Sequence, residues 1–197
     1  MGWVFATVAL ALGLFAGTNI DDMIVLAVLN ASSRADGRPK VWQIWAGQYT
    51  GVAVLVIISM LAALGFRLVP ERWLWLLGLI PLGLGLWKLV IAVRAHRSDE
   101  PVSAAVATGL PGVVGVTIAN GGDNIAAYTP VFRTISIGGL ALTIGVFTVC
   151  VALWCLCGSW LVSHRMIVTV VERWGHWIVP AVFILIGIYI FHKAGVL

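Results

Sequence analysis

Three carboxylates stand where carboxylates are rarest. Of the eight acidic residues, Asp36, Glu71, Asp99, Glu100 and Glu172 fall in polar connections, whereas Asp21, Asp22 and Asp123 fall inside long apolar stretches. A charged carboxylate at bilayer depth costs at least about 2.5–3.5 kcal/mol on insertion scales, so each needs compensation. The one Lys or Arg inside an apolar stretch is Lys88, six residues before Arg94, from where it is expected to snorkel to the aqueous boundary. The missing positive charge is then most simply a bound cation or protons. Spacing gathers further oxygen and amide groups around the three carboxylates. Asn19 to Asp22 and Asn120 to Asp123 are both i,i+3, and Asn124 to Tyr128 is i,i+4, so each pair can share a helix face. Asp21 points about 100° away from Asp22 on a helix, which suits orienting a ligand better than binding it. Gln48, with Tyr49 and Thr50, forms the one polar cluster of its apolar stretch and can reach the same place. Gly17-Thr18-Asn19 and Asn120-Gly121-Gly122 are poor continuous-helix sequences, and unwound backbone there would add carbonyl ligands. The plainer alternatives are that Asn and Asp cap broken helices with the carboxylates protonated, and that Gln48 makes an ordinary interhelical hydrogen bond.

The elements that must position these residues are membrane spans. Of the 197 residues, 61% are hydrophobic and 10% charged, against about 25% charged in a soluble domain. Mean hydropathy is +1.04. These values exclude an ordinary soluble enzyme, a disordered tail and a nucleic-acid reader. Apolar stretches cover 1–20 (running on to Leu29), 41–66, 73–93, 102–132, 134–163 and 174–191. Each is long enough for a tilted helix, and the polar alternation of barrel strands is absent. The expected fold is therefore all-α: a single polytopic transmembrane domain over 1–197 with six transmembrane helices. No basic residue precedes the first stretch, so it is read as a span and not a cleaved leader. Connections are expected at about 31–40, 67–72, 94–101, around 133 and 164–173. Arg34, Arg38, Lys40, Arg94, Arg97, Arg165 and Arg173 then share one side, against Arg67, Arg72, Arg133 and Lys193 on the side of the termini. The positive-inside rule places both termini outside a plasma or inner membrane. Trp42, Trp45, Trp73, Trp75, Trp174 and Trp177 read as an interfacial aromatic belt.

The two halves echo each other. Glu71-Arg72-Trp73 and Glu172-Arg173-Trp174 are 101 residues apart, as are the N-x-x-D motifs Asn19–Asp22 and Asn120–Asp123. A register one residue longer aligns Asp21-Asp22 with Asp123-Asn124 instead. With three spans per half the second half must be inserted upside down. The expectation is two inverted three-helix repeats, about 1–98 and 99–197, with broken first and fourth helices flanking a midplane site.

GTNIDDMIVL at 17–26, GQYTG at 47–51 and NGGDNIAAYTPVF at 120–132 resemble the CadD-like cadmium resistance transporters of the lysine-exporter superfamily. The resemblance runs in outline over nearly the whole chain, and these three stretches are its specific part. It implies efflux of Cd²⁺, with Zn²⁺ or Mn²⁺ as further substrates, across the cell membrane. Its motif carries Asn19, Asp21, Asp22, Gln48, Asn120, Asp123 and Asn124 as metal-site residues, with Thr18 and Tyr128 as further candidates. The divalent cation is substrate, not cofactor; the bilayer is the partner, nucleic acid is not, and a homodimer is compatible with the reading. An all-oxygen site suits harder ions such as Mn²⁺ or Ca²⁺, and thiolate would suit Cd²⁺ better. A transporter must also release, so oxygen ligands are compatible with Cd²⁺ without selecting it. Two alternatives compete. An exporter of a basic amino acid would use the same carboxylates on an ammonium group. An intramembrane aspartyl protease would use two of them sharing a proton, but each Asp here has an Asn three residues earlier, which suits cation coordination.

Cys150, Cys155 and Cys157, at i, i+5 and i+7, do not converge on one point and read as core packing. His164, His176 and His192 lie near span ends and His96 in a connection, and no role is assigned to them. A variant with all three cysteines changed to Ala is expected to keep cation flux in proteoliposomes. Complete loss of Cd²⁺ flux with normal insertion would show that thiolates supply the softness the oxygen site lacks.

Overall fold

Residues 2–68, 70, 73–94, 109–162 and 165–195 are described by a computed structural model. They form seven α-helices and one short 3-10 turn, with no strand among them. The helices are α1 (Gly2–Asp36), α2 (Val41–Gly65), α3 (Leu74–Arg94), α4 (Gly109–Asn120), α5 (Gly122–Thr134), α6 (Ile137–Leu161) and α7 (Arg165–Lys193), with the 3-10 turn at Phe66–Leu68. Three of them, α1, α2 and α6, are each long and apolar enough to cross a membrane. Shorter apolar helical stretches cover Trp75–Ile91, Gly109–Asn120 and Trp177–Lys193. The chain is a polytopic all-helical membrane protein.

Two boundaries differ from the sequence expectation. The first connection begins only after Asp36, and the stretch 164–173 is helical from Arg165 onward. At the first, the helix carries on through the polar run Asn30 to Asp36; at the second, Arg165, Glu172 and Arg173 bracket a mostly apolar sequence that continues into the last span. The 94–101 connection beyond Arg94, the boundary between the halves, and Glu71-Arg72 lie outside the described residues.

The expected break in the first helix is absent. The 35-residue α1 runs straight through Gly17-Thr18-Asn19. Thr18 Oγ1 donates to Leu14 O at 2.9 Å and Asn19 Nδ2 to Phe15 O at 2.8 Å. Both side chains thus bond back one turn along an intact helix. Gly17 is there for closeness and not for unwinding, because a Cβ at this position would overlap Val182 of α7. The break in the fourth span does occur. Gly121 separates α4 from α5, with φ −77° and ψ 9°. Its N–H donates to Ile118 O at 3.0 Å, and its carbonyl accepts from Ile125 N–H at 3.1 Å. The backbone polar groups at the break are therefore satisfied, as an apolar surround requires.

Packing is pairwise. The α1 helix lies on α6 and α7, α2 lies on α4 and α5, and α3 lies chiefly on α7. Between α2 and α4 the contact is a small-residue groove: Gly47 and Gly51 receive Val113 and Thr117, both pairs four residues apart. Gly78 of α3 and Gly187 of α7 bring two backbones together in the same way. Gly85 also sits at that interface against Ile184, whereas Gly83 meets nothing within 4 Å. An aromatic cluster ties α5 to α1 and α6. The Phe147 ring lies tilted, its centroid 5.3 Å from that of Phe15 and 4.9 Å from that of Tyr128, and Trp154 meets Phe15 edge-on at 5.3 Å.

Replacing Gly51 with Leu forces a side chain into Thr117 and is expected to cost about 1–3 kcal/mol by overpacking. Gly83→Leu, with open space around it, should cost far less. Thermal unfolding of the purified protein in detergent measures both, and equal losses would refute the α2–α4 contact.

Candidate cation site

Asp22 sits at the middle of α1 and is 5% exposed. Its Oδ1 accepts from Asn120 Nδ2 at 3.2 Å, and its Oδ2 from Gln48 Nε2 at 3.4 Å. Two amides from two other helices therefore point N–H groups at one carboxylate. Gln48 is held in that orientation by Thr117, whose hydroxyl donates to Gln48 Oε1 at 2.8 Å. Asn120 is the last residue of α4, so the break at Gly121 is what leaves its side chain beside Asp22.

One turn earlier on α1, Asn19 is fully buried. Its Nδ2 donates to Tyr128 Oη at 2.9 Å, and its Oδ1 accepts from Asn124 Nδ2 at 3.0 Å. Thr18 Oγ1 lies 3.2 Å from the same Tyr128 oxygen. Trp154 donates its indole N–H to Asn19 O at 2.8 Å. Asn124 is 1% exposed, and its own Oδ1 has no hydrogen-bond partner among the described residues. A buried amide oxygen without a donor is costly, and this one lies beside the Asn19 pair.

The third group corrects the sequence expectation about charge. Lys88 does not snorkel away. Its ammonium pairs with Asp123 and lies 3.9 Å from Asp21 Oδ2, with side-chain exposures of 21% for Lys88, 24% for Asp123 and 62% for Asp21. It also stands 5.7 Å above the ring of Phe183, within cation–π range. Lys88 lies about two turns short of the end of α3, on a helix packed against α7. Asp123 is in the first turn of α5, where the helix dipole also favours a negative charge.

Asp21 and Asp22 thus face apart, as their spacing requires, the first towards Lys88 and the second towards the amides. Of the polar cluster on α2, only Gln48 reaches Asp22. Tyr49 donates to Thr148 O at 3.0 Å, and Thr50 bonds back to Ala46 O at 2.7 Å. Among the described residues no three of His, Cys, Asp and Glu converge as a metal cluster. The oxygen and amide groups instead form a chain across α1, α2, α4 and α5. Among the described residues no two carboxylates share a hydrogen bond, unlike a proton-sharing protease dyad. Sequence reasoning missed Lys88, Thr117 and Trp154. The signal for Lys88 was present, since a lone cation in one span and uncompensated carboxylates in others ask for each other. Thr117 stands i,i+3 from Asn120 and was equally open to inspection.

A buried carboxylate and buried amides threaded through apolar helices, with one helix broken where they meet, define a membrane transport protein. A family model described as Cadmium resistance transporter matches residues 15–197. The chain belongs to that family, a family of transporters and not of enzymes, and membership brings a metal ion as substrate. No curated protein and no solved structure matches the chain.

The Asn19 network makes a ranked prediction. Tyr128→Phe removes one acceptor, while Asn19 keeps Phe15 O, so the loss should be about 1 kcal/mol. Asn19→Ala strands the buried Asn124 amide and should cost about 2–3 kcal/mol. Thermal unfolding in detergent should show that order, and the reverse order would contradict the placement of these side chains.

Proposed function

We propose that the protein exports a divalent heavy-metal cation, Cd²⁺ first and Zn²⁺ or Mn²⁺ as further substrates, out of the cell through a site of carboxylates and amides. Asp22 and Asp123 are its anionic ligands. Asn19, Asn120, Asn124 and Gln48 supply amide oxygens after small side-chain rotations, and Asp21 orients the set from outside. The observation that carries this reading is Asp22, a nearly fully buried carboxylate served by the amides of Asn120 and Gln48, with the orphaned Asn124 Oδ1 in the adjoining network. In their ionised forms the three intramembrane Asp and Lys88 sum to a charge of −2, which one divalent cation neutralises.

The inverted repeat is part of the proposal, and the contacts between the two motifs are compatible with it. Asn19 meets Asn124 while Asp22 meets Asn120, so the two motifs run antiparallel across each other. Exchange of the halves would map the α1–α6 contact onto the contact of α2 with α4 and α5, and α3–α7 onto itself. The proposed placement is the plasma membrane with both termini outside. A second reading, export of a basic amino acid, draws on Lys88: an alkylammonium group already sits on Asp123 beside an aromatic ring.

Flux in proteoliposomes across Cd²⁺, Zn²⁺, Mn²⁺, Ca²⁺ and lysine separates the two readings. Asp22→Asn and Asp123→Asn should each abolish cation flux with insertion intact, and Asp21→Asn should weaken it about 10–100-fold, as loss of an orienting group does. Normal flux in both of the first two variants would remove the site. Loss in Asp21→Asn but not in Asp22→Asn would show that the longer register of the repeat is the functional one.

A further inference from the structure

Lys88 is a half-buried charge that the proposed site does not use as a ligand, and it occupies part of that site. Its ammonium rests on Asp123, a proposed cation ligand, while a second carboxylate, Asp21, waits 3.9 Å away and more than half exposed. A divalent cation drawn to Asp123 must share that carboxylate with a positive charge already there. Like charges a few ångströms apart at low dielectric repel strongly, so cation and ammonium exclude each other at Asp123. Asp21 gives the ammonium somewhere to go without leaving for water.

We propose that Lys88 is a tethered competitor of the transported cation. In the empty protein its ammonium neutralises Asp123. When the cation binds, the ammonium moves over to Asp21. Return of the ammonium to Asp123 then helps expel the cation, which keeps a carboxylate-and-amide site from becoming a trap. Lys88 acts through Asp123 and is a positioning residue, not a ligand. No bond is made or broken; one cation replaces another on a carboxylate. This inference rests on the cation site proposed above.

The test compares Cd²⁺ binding by calorimetry with Cd²⁺ efflux from proteoliposomes, for the full chain and for Lys88→Met and Lys88→Arg. Removing the competitor should tighten binding at least tenfold in Lys88→Met while slowing maximal efflux, so that affinity and turnover move in opposite directions. Lys88→Arg, which keeps the charge, should stay near the wild type in both. A merely structural Lys88 would weaken binding when removed, and unchanged or weaker binding in folded Lys88→Met overturns the proposal. Should Lys88→Met not accumulate in folded form, the wild type decides. Cd²⁺ should raise acetylation of Lys88 by an amine-reactive ester at least twofold, read by mass spectrometry against Lys40 and Lys193. No rise overturns the proposal. A wild type that binds no Cd²⁺ removes the cation site itself and this inference with it, whereas binding in the wild type without tightening in Lys88→Met removes only the role of Lys88.

Discussion

A carboxylate inside a lipid-spanning bundle survives only if donors reach it, and the donors for Asp22 come from helices that are not its own. Asn120 and Gln48 supply them, and each is placed by a separate device. Gln48 is set by Thr117, which itself packs on Gly51, so the small-residue groove between α2 and α4 is what aims that amide. Asn120 stands at the end of α4, where the helix is interrupted at Gly121. Without hydrophobic drive between helices in lipid, close packing and polar contacts decide which helices meet. The polar contacts of the site are therefore also the contacts that assemble the bundle.

The other half of the charge balance rests on α3 and α7. Gly78 and Gly187 let these two helices approach backbone to backbone, and Phe183 of α7 lies beneath the Lys88 ammonium. The pair thus holds one positive charge inside the bundle and presents it to α1 and α5, which carry the acids. Charge and counter-charge sit on different packing units, so relative movement of those units makes or breaks the ion pair.

Much of this was legible in the sequence because lipid imposes it. Long charge-free runs can only be helices there, and Asp21, Asp22 and Asp123 stood out as exceptions needing partners. The break at Asn120-Gly121-Gly122 was legible too, since two glycines after an Asn leave no side chain to hold a helix. The continuity of α1 was not. Gly, Thr and Asn unwind a helix or bond back to it according to what lies beside them, and Val182 comes from a segment more than 160 residues away. Lys88 was misread for a similar reason. A lysine near a span end goes to water or to an acid depending on which neighbour its helix faces, and α3 faces α7. Gln48 was legible as a polar residue in a span, but its separation from Tyr49 and Thr50 depended on the rotation of α2 against α4.

A helix of 35 residues without a break is a stiff beam about 50 Å long. Asn19 and Asp22 lie at its mid-point, where tilting the beam about its centre hardly displaces them. Gly121 is an articulation, and Asn120 and Asn124 stand on opposite sides of it. The two N-x-x-D motifs therefore sit in unlike backbones, one on a continuous helix and the other at a break. A rotation of α4 relative to α5 about Gly121 would move Asn120 against Asn124 while leaving the α1 side chains in place.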